Sequence, residues 1–210
     1  MTLTDEIKEE ALRLGFAACG VWKAVDSGQE ERYMKWINDN WHADMAYMAR
    51  NIDKRTDPRL LVDGAKSIVS VALNYYPHEK QAKHAPQFAY YAYGKDYHDV
   101  VRVKLKELFE FIAIRKPGVT GRYFSDSAPV LERFWAAQAG LGFVGKNSLL
   151  IIPCKGSYFF LGELIIDIEL DYDKPILENC GSCTRCLDGC PTGAIEEPFR
   201  VNANKCISYQ

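Results

Sequence analysis

The chain has 210 residues, a formal net charge of −2 and seven cysteines. This length can bury one large or two small hydrophobic cores. The near balance of charge gives no basic tract of the kind that marks a nucleic-acid surface. No apolar run reaches membrane-spanning length, and residues 1–10 predict a polar helix start rather than a signal peptide. Because several cysteines are grouped and no secretion signal is present, the sequence predicts a cytoplasmic protein with no membrane partner.

Predicted helices and strands alternate over most of the chain. A capping signal at Thr4 begins the first helix, which ends at Gly15. The continuous β-branched run at residues 67–73 predicts a strand buried on both faces. Residues 53–58 predict a polar turn. The other predicted helices cover residues 29–40, 45–50, 99–115 and 129–139, and the other predicted strands cover residues 16–22, 121–126, 149–152 and 158–168. This alternation predicts an α+β layer domain over residues 1–170, followed by a linker at 171–175 and a second domain over 171–210.

A cysteine motif dominates the second domain. Cys180, Cys183, Cys186 and Cys190, followed by Pro191, have the spacing C-x2-C-x2-C-x3-C-P of bacterial ferredoxins that bind 4Fe-4S clusters. Short loops bend three of the sulfurs toward one point, and in two-cluster ferredoxins the fourth cysteine ligates the other cluster. A disulfide set or a zinc knuckle is the alternative, but zinc sites usually pair two C-x2–4-C units that lie far apart. The motif therefore predicts iron–sulfur ligands.

The number of cysteines sets a further expectation. Two 4Fe-4S clusters with four cysteines each require more ligands than the five cysteines found from Cys180 onward. The fifth, Cys206, is also predicted as a ligand. Cys19 and Cys154 lie in apolar stretches and are predicted to be small core residues. The sequence thus predicts that residues 171–210 form the first part of a longer ferredoxin-like domain.

Several stretches together resemble one family. They are Arg55-x-Asp-Pro58, Gly94-x-Asp-Tyr-His98, Asp126-Ser-Ala-Pro-Val-Leu-Glu-Arg133, Ala139-Gly-Leu-Gly-x-x-Gly-Lys-Asn147, Gly156-Ser157, Leu161-Gly-Glu163 and the cysteine motif. With these stretches the chain resembles the epoxyqueuosine reductases, cobalamin-dependent iron–sulfur enzymes of queuosine-tRNA synthesis. Ser127 stands where the family usually has Thr. The family continues beyond residue 210 through further cysteines and a tRNA-contacting part.

The resemblance implies a fold and an activity. The fold is a cobalamin-binding α/β layer domain of the nitroreductase and reductive-dehalogenase type, followed by a partial ferredoxin-like 4Fe-4S domain. The activity is the two-electron reductive removal of the epoxide oxygen from epoxyqueuosine in a tRNA anticodon loop. The implied cofactors are cobalamin and, in the full-length protein, two 4Fe-4S clusters that receive electrons from an external donor. The alternatives are a dehalogenase-like corrinoid reductase, a ferredoxin-like electron carrier, or an inactive part of the enzyme.

Asp126 is the predicted catalytic acid. The departing epoxide oxygen must gain a proton, and the family's proton-donating aspartate corresponds to this position. The sequence places Asp126 at a strand end before a helix, where ligands of layered α/β sheets collect. A carboxyl group that is to hold a proton near neutral pH needs burial or an acidic neighbour. The competing interpretation is that Asp126 caps the following helix.

The resemblance also implies cobalamin contacts, at Arg55, Tyr97, His98, Arg133, Gly145, Lys146 and Asn147. Gly145–Asn147 either forms a backbone cradle for the corrin or an ordinary turn. Arg133 either orients the substrate or pairs with a neighbouring acid such as Glu132. We favour a hydrogen-bonded structural role for His98 over that of an axial cobalt ligand. Ser157 and Glu163 are either polar contacts or strand-end residues.

Overall fold

The computed structural model describes residues 1–209, so Gln210 of the predicted cluster domain lies outside the described residues. The helices are α1 (Leu3–Arg13), α2 (Glu30–Asn38), α3 (Ile52–Thr56), α4 (Tyr97–Arg115), α5 (Glu132–Gln138) and α6 (Arg185–Asp188). The strands are β1 (Ala18–Lys23), β2 (Ser67–Asn74), β3 (Gly121–Phe124), β4 (Phe143–Val144), β5 (Leu150–Ile151) and β6 (Phe159–Ile166). Short 3₁₀ helices lie at Ala46–Ala49, Pro58–Leu60, Tyr90–Ala92 and Ala203–Lys205.

The central sheet is antiparallel, with the strand order β1-β2-β6-β3. Strand β2 pairs with β6 from Ser67 opposite Ile166 to Asn74 opposite Phe159. All of β2 except its last two residues is buried, which confirms the predicted strand buried on both faces. Strands β4 and β5 form a separate hairpin beside α5.

Helices cover both faces of this sheet. Val69 and Leu164 pack into a core cluster with residues of α1 and α4, whereas Ile68 and Ile165 face α5 and pack with Trp135. Burying one such large apolar side chain stabilises the fold by about 1.5–3 kcal/mol. The helix–sheet–helix arrangement confirms the predicted α+β layer domain. No helix among the residues described has the length and apolar character needed to cross a bilayer.

The first helix begins earlier than the sequence predicts. Thr2 is its N-cap: the Thr2 hydroxyl accepts from the Asp5 backbone N–H, and the Asp5 carboxylate accepts from the Thr2 N–H. The predicted capping residue, Thr4, is instead buried in the first turn, where its hydroxyl accepts a 2.9 Å hydrogen bond from the Asp171 N–H. Thr2, unlike Thr4, is followed three residues later by an acidic residue, and this spacing forms the capping box.

Two other local predictions differ from the structure, and the predicted linker stays a prediction. The predicted polar turn at residues 53–58 is instead covered by α3 and the start of the next 3₁₀ helix. Thr56 and Pro58 are buried there. Cys19 packs against the core as predicted, but Cys154 is exposed, at a turn where its φ is +60°. The predicted linker is bonded to the first domain, since the Asp173 carboxylate accepts from the Val21 N–H at 2.8 Å and from Lys8 at 2.6 Å.

Candidate active site

Asp126 lies on the exposed loop between β3 and α5, with a φ of +51°. Such a φ is uncommon for a residue other than glycine, so the surroundings must hold it in place. The Asp126 backbone N–H donates a 2.7 Å hydrogen bond to Glu132 Oε1 in the first turn of α5. On the other side, the buried Ser125 hydroxyl donates to the Leu161 carbonyl of β6 at 2.8 Å. The loop is therefore fixed both to α5 and to the central sheet.

Asp126 does not cap α5. The helix begins at Glu132, and its N-cap is Leu131, which makes no side-chain capping bond. The helix begins later than predicted because the Val130 N–H bonds to the Ala128 carbonyl at 2.8 Å in a tight turn. The capping interpretation is wrong, and the Asp126 carboxylate has a different partner.

That partner is Tyr97, the first residue of α4. The Tyr97 hydroxyl donates a 2.7 Å hydrogen bond to Asp126 Oδ2. The Tyr97 ring stacks on Phe160 of β6, with 3.9 Å between ring centroids and 2° between planes. Burial raises the pKa of Tyr97, and the Asp126 carboxylate raises it further. The phenol thus stays protonated near neutral pH and acts as a fixed donor to Asp126.

His98 lies beside Tyr97 and is held by its own helix cap. The Asp96 carboxylate accepts the His98 backbone N–H at 2.9 Å, and His98 Nδ1 lies 2.8 Å from the same oxygen. The imidazole stacks on the Tyr97 ring with 4.0 Å between centroids. These contacts are those of a hydrogen-bonded structural residue. They support the structural role that the sequence analysis favoured over an axial cobalt ligand, and this role stays a prediction.

Two further carboxyl groups lie behind Asp126. Glu163 is fully buried within β6, rather than at its end, and lies opposite Ser70 and Phe124 on the neighbouring strands. No N–H or O–H donor among residues 1–209 reaches its carboxyl oxygens. Burial, and then repulsion from Glu132 and Asp126, raises the pKa of Glu163 well above its usual range. Of the two roles expected for Glu163, that of a strand-end residue is wrong, and that of a polar contact stays a prediction.

Glu132 connects Asp126 with Glu163. Its side chain is half-buried, and the charge of its carboxyl group contributes to the raised pKa of Glu163. Burial and the nearby Asp126 carboxylate raise the pKa of Glu132 to about 8, although the Arg133 guanidinium acts in the opposite direction. The site therefore holds three acidic groups in sequence, from the surface to the sheet.

The predicted glycine cradle is the turn of the β4–β5 hairpin. The Gly145 N–H donates to the Leu149 carbonyl at 2.8 Å, and Asn147 Oδ1 accepts the Leu149 N–H at 3.2 Å. A Cβ at position 145 would lie 2.6 Å from Ile151 Cδ1, so a larger residue there would have to displace the end of the Ile151 side chain. The cradle role stays a prediction, but the local contacts are those of a close-packed turn.

This turn also bonds to two other parts of the molecule. Arg133 Nη1 donates a 2.6 Å hydrogen bond to the Ser148 carbonyl. Its partner is therefore the hairpin turn, and not the neighbouring Glu132. Lys146 Nζ donates to the carbonyls of Gly181 at 2.8 Å and Cys183 at 2.9 Å. The structure thus brings Lys146 to the cysteine motif.

Arg55 lies apart from these residues. It belongs to α3, and its guanidinium carbon is 5.4 Å from the centroid of the Tyr33 ring of α2. Its Nε is buried and, within the part of the chain that the structure describes, has no hydrogen-bond partner. The structure does not bring Arg55 to Asp126.

The predicted metal ligands, including Cys206, lie on short loops and on α6. Among residues 1–209, no three Cys, His, Asp or Glu side chains converge as a metal site, so the ligand set stays a prediction. Cys190 has the most developed environment: the Ala194 N–H lies 3.2 Å from its sulfur, and backbone N–H groups, chiefly that of Ile195, lower the pKa of Cys190 to about 7. The thiolate so favoured is the metal-binding form of cysteine.

An open cleft of about 530 Å³ lies at the same end of the sheet, lined by Ala17, Asn74, Tyr76, Lys155, Gly156, Tyr158 and Phe159. From it, a row of aromatic rings leads to Asp126. Tyr158 lies 5.6 Å from Tyr75, Tyr75 4.5 Å from Phe160, and Phe160 3.9 Å from Tyr97, measured between centroids. These four rings form an aromatic wall that is not flat, because Tyr75 and Tyr158 meet edge to face at 76°. With Asn74 and Lys155 beside it at the cleft, the wall offers apolar contacts and hydrogen-bond donors to a large ligand with amide substituents.

Family comparisons agree with these observations. A family model described as "Epoxyqueuosine reductase QueG, DUF1730" matches residues 55–127, and a model of the "4Fe-4S double cluster binding domain" matches residues 179–210. An epoxyqueuosine reductase of Cellulophaga algicola is 52% identical over 207 residues, which cover 98% of this chain and 68% of that protein. The Escherichia coli relative is 42% identical, over 99% of this chain and 56% of its own length.

Solved structures match the whole described fold. An epoxyqueuosine reductase from Streptococcus thermophilus gives a TM-score of 0.93 at 31% identity, over 100% of this chain and 58% of its own. One solved with an epoxyqueuosine-modified tRNA-Tyr stem loop gives 0.89 at 36% identity, over 99% of this chain and 56% of its own. This chain therefore spans little more than half the length of those solved chains.

A more distant match concerns the fold alone. A reductive dehalogenase gives a TM-score of 0.52 at 18% identity, over 88% of this chain and 22% of its own. This match confirms the predicted dehalogenase-like architecture. Because the Cellulophaga relative is 52% identical and is covered over two thirds of its length, the chain belongs to the epoxyqueuosine reductase family.

Proposed function

We propose that this chain carries the catalytic site of an epoxyqueuosine reductase, which converts epoxyqueuosine in a tRNA anticodon loop to queuosine. The observation that carries the proposal is the exposed Asp126 carboxylate, held by a 2.7 Å hydrogen bond from Tyr97 at the end of an aromatic wall. The relatives named above support the substrate, since one was solved with an epoxyqueuosine-modified tRNA stem loop.

The chemistry defines what these residues must do. Removal of an epoxide oxygen breaks two C–O bonds, forms a C=C bond and releases water, so it consumes two electrons and two protons. Asp126 lies on an exposed loop that a bound nucleoside can approach, and it acts as the general acid toward the departing oxygen. Tyr97 fixes the direction of the Asp126 carboxyl group, which is the geometric requirement for such an acid.

Cobalamin, when bound, supplies a strongly nucleophilic metal centre for opening the strained epoxide. We propose that the wall formed by Tyr75, Tyr97, Tyr158 and Phe160 holds its ring, with Asn74 and Lys155 bonding its substituents at the cleft. The rings exclude water from one side of the site. Of the cobalamin contacts expected from the sequence, Tyr97 belongs to this wall and His98 stacks on the Tyr97 ring.

We propose that the cysteine motif and Cys206 ligate iron–sulfur clusters, of which the full-length protein holds two. The match of residues 179–210 to a double-cluster domain supports this assignment. An external donor supplies the electrons. The protein acts in the cytoplasm, where reducing conditions keep clustered cysteines available as ligands.

The test is a direct assay. The full-length protein is reconstituted anaerobically with iron, sulfide and cobalamin and given a chemical reductant and a tRNA stem loop containing epoxyqueuosine, and the nucleosides of the stem loop are analysed by mass spectrometry. We expect queuosine from the wild type and none from Asp126→Asn. The control Asp63→Asn changes an exposed acid elsewhere and keeps wild-type activity. A wild type that binds both cofactors yet forms no queuosine, or that releases halide from a halophenol instead, overturns the proposal.

A further inference from the structure

We propose that the loop of residues 77–95, between β2 and α4, binds unpaired nucleotides of the RNA substrate beside the catalytic site. In this surface, which we name the entrance loop, the Phe88 ring stacks on a base while Lys80 and Lys83 contact backbone phosphates. The inference rests on the proposed function, because it assigns a second contact to the same tRNA stem loop. It names the part of this chain that holds the RNA while the modified base lies at Asp126.

The composition of the entrance loop fits single-stranded RNA. Residues 77–95 contain four aromatic residues, three lysines and two histidines, but one acidic residue, Glu79. The chain as a whole has a net charge of −2, so the positive charge here is local. Aromatic rings that receive bases, together with cations that neutralise phosphates, are the two components of surfaces that bind single strands. An anticodon loop offers partners for both, since its nucleotides are unpaired.

Two glutamine side chains hold the entrance loop in one shape. Gln81 forms two hydrogen bonds of 3.0 Å with the main chain of Phe88, because its Nε2 donates to the Phe88 carbonyl and its Oε1 accepts the Phe88 N–H. Gln87 Nε2 donates to the carbonyls of Ala82 at 3.0 Å and Ala85 at 2.8 Å. The backbone of Phe88 is thus fixed, although Phe88 is 66% exposed. A ring held in this way loses little conformational freedom when a base stacks on it, which favours binding.

The two lysines beside Phe88 are available to an anion. Lys80 and Lys83 are both exposed, and Lys80 Nζ lies 5.6 Å from the centroid of the Tyr76 ring. Within residues 1–209, neither ammonium group forms an ion pair with a carboxylate. A phosphate group is therefore a suitable partner, because it offers charged oxygens that accept hydrogen bonds.

The entrance loop lies beside the catalytic residues. Tyr90, inside the loop, is 6.0 Å from Tyr158 of the aromatic wall, measured between ring centroids. The loop ends two residues before Tyr97, whose hydroxyl bonds to Asp126. Phe88 is nine residues before Tyr97, so the chain separates their Cα atoms by at most about 30 Å. A stem loop whose modified base lies at Asp126 therefore passes the entrance loop with its neighbouring nucleotides.

The reaction itself creates the need for such a contact. An enzyme that acts on a base takes that base out of its stack, and the neighbouring bases then lose a stacking partner. An aromatic ring on the protein replaces this partner for any of the four bases, because every base has a π-face. Phe88 thus recognises unpaired RNA rather than a particular sequence.

Two other occupants of this surface make different predictions. A second copy of this chain, or a further segment of the full-length protein, would also cover the Phe88 ring. Either one would bury the ring at the centre of a protein contact, where lysine is depleted, whereas Lys80 and Lys83 flank it. The charge of the loop therefore favours RNA, and three measurements separate these occupants.

The first measurement is the affinity of the full-length protein for a tRNA stem loop, by fluorescence anisotropy. Phe88→Ala should raise Kd about tenfold, within the range for loss of one base–aromatic stack, whereas Phe88→Tyr should keep the wild-type value. The control Tyr172→Ala removes an exposed ring that bonds to Lys66, at the other end of β2. An unchanged Kd for Phe88→Ala overturns the inference. A lower Tm with that Kd would assign Phe88 to a contact within the chain, and a lost dimer to a contact between copies.

The second measurement removes the base instead of the ring. Stem loops that each lack one base of the anticodon loop should include one that binds the wild type about tenfold more weakly than the intact stem loop does. Phe88→Ala should bind that stem loop and the intact one equally well, and such non-additivity identifies a direct contact between ring and base. If every missing base costs the same in both proteins, the inference is wrong, even where Phe88→Ala is also less stable.

The third measurement concerns the lysines. The slope of log Kd against log salt should fall by about 0.7 in Lys80→Gln and in Lys83→Gln, the value for one phosphate contact on a single strand. The control Lys116→Gln, at the opposite end of α4 from the entrance loop, should keep the wild-type slope. Equal slopes in all four proteins would contradict the phosphate contacts.

These measurements require no turnover, so the inference and the proposed function fail separately. If the full-length protein forms no queuosine but shows the coupling between ring and base, the function is wrong and the RNA contact stands. If it forms queuosine and Phe88→Ala has the KM of the wild type for the stem loop, the function stands and the RNA contact is wrong.

Discussion

Lys146 Nζ lies 2.9 Å from the main-chain carbonyl oxygen of Cys183. A second bond, 2.8 Å long, joins it to the Gly181 carbonyl, and the Lys146 carbonyl accepts the Phe199 N–H at 2.8 Å. One residue of the hairpin turn therefore contacts two segments of the predicted cluster domain. Since Arg133 ties the same turn to α5, these bonds set the position of the cysteine motif relative to the loop that carries Asp126.

Replacing Lys146 by Met should loosen the cysteine motif. The variant loses two charge-assisted hydrogen bonds at an exposed site, which we expect to cost about 1 kcal/mol together. Hydrogen exchange of the backbone at residues 180–186 should accelerate, and less iron should be retained after reconstitution. The control Lys95→Met removes an exposed lysine elsewhere and should behave as the wild type. Unchanged exchange in Lys146→Met would show that the loop is held by other contacts.

Replacing Tyr97 by Phe should slow catalysis without unfolding the site. The ring still stacks on Phe160, but Asp126 loses the 2.7 Å hydrogen bond that orients it. A hydrogen bond to a charged group contributes about 1.5–3 kcal/mol, so we expect kcat to fall about tenfold to a hundredfold with little change in KM. Tyr91→Phe changes an exposed tyrosine and serves as the control. An unchanged kcat would show that the Tyr97 hydroxyl has no role in catalysis.

Sequence patterns predicted the parts of this molecule that depend on local chemistry. The apolar run of β2 and the amphipathic α4 are encoded by residues adjacent to one another, and both were found. The partner of Asp126 was not predicted, because Tyr97 lies 29 residues away and no periodicity connects the two. The contact of Lys146 with the cysteine motif, 35 residues later, is missed for the same reason.

The position of Glu163 in the sequence does predict an unusual carboxyl group. It lies inside the apolar strand Phe159–Ile166, and glutamate is almost never fully buried unless it has a partner. An acid in the middle of such a run predicts a protonated or paired carboxyl group. Burial by two neighbouring strands and a helix, which the sequence does not display, then decides how strongly its pKa is raised.

Gly20 should tolerate no side chain. It lies on β1 with an ordinary backbone conformation, and a Cβ there would meet the Ala139 carbonyl oxygen at 2.1 Å and Leu141 Cδ1 at 2.7 Å. Gly20→Ala must push the end of α5 away from the sheet, and overpacking of this kind typically costs about 1–3 kcal/mol. Urea unfolding should show a lower midpoint at an unchanged slope. If Gly20→Ala unfolded at the same urea concentration as the wild type, the end of α5 would be free to shift, which would contradict its packing against the core.

Replacing Glu163 by Gln should change how stability depends on pH. The folded-state pKa of Glu163 lies above its unfolded value of about 4.3, so between these two values the native state binds more protons than the unfolded state. Stability is therefore fully present below pH 4.3 and is lost as the pH rises through the folded pKa. Glutamine does not ionise, so the variant lacks this loss, although the raised pKa of Glu132 leaves part of the slope.

The measurement is Tm between pH 5 and pH 9 for the wild type, Glu163→Gln and the exposed-acid control Glu107→Gln. Wild-type Tm should fall across this range, and the control should follow it. The Glu163→Gln curve should be flatter and should cross above the wild type at the alkaline end, because only there does the wild type carry a buried charge without a partner. Parallel curves for all three proteins would mean that Glu163 titrates as an ordinary solvated acid and that its place in β6 leaves its charge accessible to water.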